Sequence, residues 1–182
     1  MKKSILSLIA LVALTATTAF GANVDLKASE FKWEGSKVTG KHYGMISLKS
    51  GEVTMKDGKL SGGTFVADMN SFTVTDLEGE WATKFVGHMK SKDFFTVEKY
   101  PTSTLKIKSV KGNKVTADLT VKDKTNEVTF DVKKSGNAYS GKLTFDRTKF
   151  GMIYGSGDFF KNLGDKMINN EVTLDFKFVV KK

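Results

Sequence analysis

From residue 102 to the C-terminal end, the chain alternates apolar and polar side chains with a period of two. In "TSTLKIKS", Ser103, Leu105 and Ile107 fall on one side and Lys106 and Lys108 on the other. "VTADLTVK" sets Val115, Ala117, Leu119 and Val121 against Thr116, Asp118 and Thr120. The same rhythm returns in Val128, Phe130 and Val132, in Tyr139, Leu143 and Phe145, and in Val172, Leu174, Phe176 and Phe178. A period of two places successive side chains on opposite faces of a strand, and one apolar face with one wet face is the mark of antiparallel sheet. "KGNK" (111–114), "KDKTN" (122–126) and "KSGNA" (134–138) are turn sequences between these runs, and such short links make neighbours in sequence into neighbours in space.

The first half reads in the same way, with strands expected near 24–33, 37–48, 52–56 and 60–70, the last two joined by Asp57-Gly58. The total is about eight or nine strands. One segment departs from the pattern. In "TDLEGEWATKFVGHMKS", Leu77, Trp81, Phe85 and Met89 follow at four-residue steps, which predicts a helix over Asp76–Lys90 with one apolar stripe. Thr75 and Glu78 form a capping-box pattern, and Asp76 and Glu80 read as partners of the helix dipole rather than as a catalytic pair. A single helix inserted in a meander predicts an all-β fold with one helix: an antiparallel eight-stranded barrel, closed or nearly so, with the helix packed against it.

The opening "MKKSILSLIALVALTATTAFGA" has lysines, a short apolar core and small residues at its end, the pattern of a secretory signal peptide, with cleavage expected after Gly21. Residues 1–21 are thus read as a leader and 22–182 as one exported domain, periplasmic or secreted. No later apolar run predicts a membrane span, so no stable membrane insertion is expected. The chain has no cysteine, hence no disulfide. Its formal net charge is +9, but Arg147 is the only arginine and the lysines are scattered along polar strand faces. Recognition of phosphates and bases leans on clustered arginine, so no nucleic-acid partner is expected.

No zinc-protease helix, serine elbow, phosphate loop or dinucleotide fingerprint occurs, so no catalytic residue is assigned. His42 and His88 stand far apart with no cysteine beside them, and neither a metal site nor a cofactor is expected. What remains is apolar interior. Phe65, Met69, Leu105, Ile107, Leu119, Phe130, Leu143, Phe145, Met152, Leu174 and Phe176 are the inward candidates. A core filled by its own side chains explains them, and so does an adaptable lipid pocket. Strands of about ten residues, tilted as in a barrel, are expected to leave an apolar bore on the order of 25 Å, and Ala117 is a small inward position where a bulky residue would shorten it.

Three segments carry a family resemblance. "HMKSKDFFTVEKYPTSTLKI" resembles the signature of the YceI-like family through His88, Ser91, Asp93, Phe94, Phe95, Tyr100 and Pro101. "WEGSKVTGKHYG" resembles a run of one branch of that family through Trp33, Gly35, Lys37, Gly40, His42 and Gly44, and "FDRTKFGMIYGS" matches through Arg147, Phe150 and Gly151. Met89 replaces the family's usual leucine, Lys92 adds a charge before Asp93, and Lys149 stands where many members have an acid. The resemblance implies a lipocalin-like, lipid-binding barrel in the periplasm. It would hold a long amphiphile, a polyisoprenoid or a fatty-acid amide, for transport or storage and without catalysis. The expected ligand contacts then include Trp81, Phe85, Phe94, Phe95 and Phe150 beside the inward set, with Lys37, His42, His88 and Arg147 at the head group or mouth. Phe94 and Phe95 are expected to face different ways, one into the seam between helix and barrel and one toward the cavity. A homodimer is left open. The competing reading is an exported barrel with a filled core that meets a protein or envelope partner through its basic surface.

Overall fold

The chain folds along a continuous antiparallel path, and the computed structural model describes residues 19–181. Most of the expected leader lies outside these. Nine strands form: β1 (Ala19–Lys37), β2 (Gly40–Met45), β3 (Ser47–Lys56), β4 (Lys59–Asp68), β5 (Thr102–Lys111), β6 (Lys114–Val121), β7 (Lys124–Ser135), β8 (Ala138–Asp146) and β9 (Ile168–Val180). Each consecutive pair from β3 to β9 is hydrogen-bonded, and β1 pairs with both β3 and β9. That closes an eight-stranded antiparallel barrel, as the alternation predicts, with β2 as an extra strand on the upper half of β1.

Strands β2 and β3 are almost one bent strand. They run antiparallel to β1, part at Ile46, and stay attached there through the Ile46 N–H to the Phe31 carbonyl. The strand expected at 24–33 contains an irregularity: β1 breaks register with β9 between Asp25 and Glu30. There the Asp25 carboxylate accepts the N–H groups of Lys27 and Ala28, and Ser29 Oγ accepts from Val179 N–H, so side chains take over the ladder across the bulge.

At one end the strands are joined by tight turns at Asp57-Gly58, Gly112-Asn113 and Gly136-Asn137. The long connections 69–101 and 147–167 both lie at the other end, beside the short β1–β2 and β6–β7 turns. The tight-turn end is a packed floor: Val24, Val53, Met55, Val115, Tyr139, Phe178 and Val180 are buried there, with Tyr139 stacked on Phe178 at 5.1 Å between ring centroids. Gly141 is required at this level. A Cβ on it would lie 2.4 Å from the Asp131 carbonyl and 2.7 Å from the ring of Phe176.

The helix, α1, spans Gly79–Lys90, three residues shorter at its start than the periodicity predicts. The outer edge of β2 takes the residues expected to begin it. Thr73 and Thr75 donate their N–H groups to Met45 and Tyr43, Thr75 Oγ1 donates to the Tyr43 carbonyl, and the Asp76 carboxylate accepts from Tyr43 N–H. The capping box therefore does not form. Glu78 is the N-cap residue and makes no side-chain cap. Gly44 permits the approach, since a Cβ there would lie 1.9 Å from the Thr73 carbonyl oxygen.

Candidate ligand cavity

Above the floor the barrel is hollow. A cavity of about 490 Å³ is walled by Phe31 and Trp33 of β1, Phe65 and Ala67 of β4, Leu105 and Ile107 of β5, Leu119 and Val121 of β6, Phe130 and Val132 of β7, Leu143 and Phe145 of β8, and Leu174 and Phe176 of β9. All but a few of these are the inward members of period-two runs, so the pattern that builds the sheet also greases its interior. The volume lies within the range of small-molecule sites, roughly 300–1,000 Å³. The interior is not filled by its own side chains, which departs from the packed-core reading.

The long-connection end supplies the roof. Phe85, His88 and Met89 of α1 reach the cavity, as do Phe72, Phe94 and Phe95 from the flanking loops. Trp33, Phe72 and Phe85 form a stack, with centroids 4.6 Å and 5.9 Å from the indole. Trp33 Nε1 donates to the Thr73 carbonyl at 2.9 Å, which ties this stack to the segment that enters the helix. After α1 the chain turns back on itself: Thr96 adopts positive φ, and the N–H groups of Phe95 and Val97 bond to the carbonyls of Met89 and Lys90. This fold-back brings both phenylalanines to the cavity instead of dividing them between two faces. Phe95 packs on Phe72, while Phe94 packs on His88 and Tyr154.

Polar groups collect only near the roof. His42 Nδ1 lies 2.7 Å from Asp76 Oδ2, linking the barrel wall to the segment before the helix. Burial alone would push the Asp76 carboxyl up, but donation from Tyr43 N–H and from His42 outweighs it and holds the group below the usual carboxylate range. His88 Nε2 lies 3.1 Å from Asp93 Oδ2, joining the helix to the loop that follows. Arg147, only 2% exposed, donates to the carbonyls of Met152, Ile168 and Asn169 and lies over the face of Phe94. Burial pushes its guanidinium below arginine's ordinary value, with neighbouring Asp146 opposing. Lys37 and Lys166 complete the lining at this end.

Of the residues expected to contact a ligand, Phe65, Met69, Phe85, Phe94, Phe95, Leu105, Ile107, Leu119, Phe130, Phe145, Met152 and Phe176 line the cavity, and so do Lys37, His42, His88 and Arg147 at its mouth. Two are placed elsewhere. Trp81 is 74% exposed, because the first turn of α1 carries it away from the cavity. Phe150 is fully buried behind the wall, edge-on to Phe145 at 5.5 Å, and supports the lining without reaching it. Ala117 is likewise buried without reaching the cavity, and the bore ends at the floor rather than running the full strand length. Trp33, Gly35, Phe72, Tyr154 and Lys166 join the lining without having been expected there. Trp33 shares the inward parity of Phe31, and Gly35 continues it, a signal present in "FKWEG" but masked by the neighbouring charges.

The wall has one thin place. Strands β7 and β8 pair only over Val132–Ser135 and Ala138–Gly141, so their upper halves are not bonded to each other. A groove on the outer surface at this seam touches Gly141, Phe130 and Phe176, the last two of which also face the cavity. The edge-to-face pair Phe130–Phe176, 5.4 Å between centroids, is the barrier between the two.

A closed antiparallel barrel of eight strands, hollow and apolar within and roofed by one helix, places the chain among the lipocalin-like barrels. It belongs to the YceI-like domain family, whose profile matches residues 21–180. Solved structures agree on the fold. The chain is similar to BcnA of Burkholderia cenocepacia (23% identity, 87% of this chain and 99% of the other, TM-score 0.65). It is also similar to a polyisoprenoid binding domain from Saccharophagus degradans (17% identity, 87% and 98%, TM-score 0.61). Among curated relatives, a UPF0312 protein of Staphylococcus aureus strain bovine RF122 / ET3-1 is 51% identical over 78 residues, 37% of this chain and 46% of the relative. The chain thus spans less than half the length of that relative.

Proposed function

We propose that the protein binds one long-chain amphiphile in the barrel interior and carries or stores it without chemical change, in the periplasm or outside the cell. The observation that carries this reading is the division of the cavity, which is apolar from floor to roof and polar only at the mouth. An extended chain with one polar end matches that division, whereas a compact metabolite would leave most of the wall unsatisfied. His42 bonds to Asp76, His88 to Asp93 and Arg147 to backbone, so these groups hold the roof in place. Lys37 and Lys166 are then the groups free to meet a head group. The similar domain from Saccharophagus degradans, described as polyisoprenoid binding, supports an isoprenoid as ligand class, and a fatty-acid amide has the same division into apolar chain and polar end.

Organic extraction of protein purified without detergent, followed by mass spectrometry, tests the proposal. The expected result is a single-chain lipid in stoichiometric amount. Extracts with no lipid, from protein that also ignores added alkyl amides and isoprenols, would sink it.

A further inference from the structure

We propose that the roof end of the barrel docks on a lipid bilayer carrying anionic head groups, with the cavity mouth facing the membrane. This rests on the carrier reading and adds the surface from which cargo is taken or to which it is given. Exposed aromatic side chains are unevenly distributed. Trp81, Tyr154, Phe159 and Phe160 all project from the roof, on α1 and on the β8–β9 connection, whereas at the floor Phe20 alone among the described residues is similarly exposed. Tyr154 packs on His88 at 4.8 Å and itself lines the cavity, so the β8–β9 connection lies against the helix at the rim of the mouth.

Apolar groups of this size left to solvent on separate elements around one opening are poorly served by water. They form neither a groove for a helix nor a free strand edge for a peptide. Trp and Tyr, apolar with one polar atom, suit the boundary between head groups and acyl chains, and phenylalanines beside them suit shallow insertion. The charge is compatible. Lys37, Lys161 and Lys166 make no ion pair among the described residues, and the chain's formal net charge is +9. Glu78, Glu80, Asp158 and Asp165 share this end, so the aromatics supply the binding and the lysines bias it toward anionic lipid. No helix among the described residues is long and apolar enough to cross a membrane, so the association is peripheral. An opening pressed to a bilayer lets an insoluble chain pass without crossing water.

Vesicles of phosphatidylcholine, with and without phosphatidylglycerol, test this by flotation, with tryptophan emission as second readout. The protein is expected to float with phosphatidylglycerol vesicles and less with phosphatidylcholine alone. Its emission should move to the blue and be quenched by brominated lipid, and Trp81→Phe should lose that response, because Trp33 is buried. The double variant Phe159→Ser/Phe160→Ser should bind vesicles about tenfold more weakly or worse. Since neither residue lines the cavity, its binding of a soluble fluorescent alkyl amide should be unchanged. Failure of the wild type to float, or equal flotation by the double variant, overturns the docking surface. So does a dimer in sedimentation that the double variant dissolves, which would mean that a second copy covers the aromatics. If the amide fails to bind while vesicles still do, the carrier reading falls and the docking surface stands.

Discussion

Arg147 shows why a single side chain can be indispensable at the mouth without touching cargo. Its planar fork donates to three backbone carbonyls contributed by both ends of the β8–β9 connection. Lysine at the same place could reach one of them, because its ammonium is a point charge on a flexible stem. Arg147→Lys is therefore expected to destabilise the fold by about 1–3 kcal/mol through the carbonyls left unpaired in a buried site. Thermal unfolding would measure it. A variant that melts like the wild type but binds alkyl amide more weakly would make Arg147 a ligand group instead. The choice of arginine was legible in the sequence as one fork among many lysines, which points to a backbone or carboxylate partner near "KFG" and a pinned loop, but which carbonyls it takes was not, because any residue supplies them. His42 and His88 were assigned to the mouth by the family resemblance alone, and their carboxylate partners come from tertiary contact that no local pattern shows.

At the scale of elements, the roof is held to the barrel by the strand-like contact between β2 and residues 73–76, with the His42–Asp76 pair at its end. Asp76 is held below the ordinary aspartate range when folded, so the stability it contributes is fully present above aspartate's unfolded value, near 3.9, and is lost as pH falls through the folded value beneath it. Asp76→Asn should lower stability by about 1–2 kcal/mol at neutral pH, and the gap from wild type should narrow as pH falls below aspartate's unfolded range. A gap that stayed constant through the acid range would remove the ionised carboxylate from the account. The seam between β7 and β8 gives a second element-scale expectation. Amides that point into it, from Lys124–Asp131 and Lys142–Asp146, which pair with β6 and β9 but not with each other, should exchange with solvent faster than amides between β5 and β6. Uniform protection around the barrel would show that the seam is closed in solution. Strand identity was legible because alternation is a local property, but α1 was overextended in the sequence reading, since Thr75 and Asp76 serve the edge of β2 and only the folded barrel brings that edge to them.

For the whole molecule, the governing facts are a floor of packed side chains, an apolar wall, and a mouth where polar groups are mostly committed to one another. The alternation of the second half foretold a barrel, but it could not foretell the hollow. Whether inward Phe and Leu side chains meet across the axis depends on barrel radius and on which rings stack, and residues such as Phe178 and Tyr139 close one end while Gly35 and Ala67 leave the other open. A cavity with this division should select its guest by chain length more than by head group. Each methylene buried against the wall is worth about 0.8 kcal/mol, roughly a fourfold gain in affinity, while a solvent-exposed contact from Lys37 or Lys166 to a head group is worth about 0–1 kcal/mol. Affinity for a series of alkyl amides should climb with each added carbon, then level off once the chain reaches the floor. At fixed length, exchanging amide for alcohol should change it little. Gly35 offers a way to shorten the bore without straining the core. It lines the cavity near the mouth, and a Cβ built on it would meet nothing within 4 Å. Gly35→Phe should keep wild-type melting behaviour and lower the chain length at which affinity levels off. If affinity follows head-group charge and ignores both length and the Gly35 substitution, the ligand lies outside the barrel, on the lysine-bearing surface.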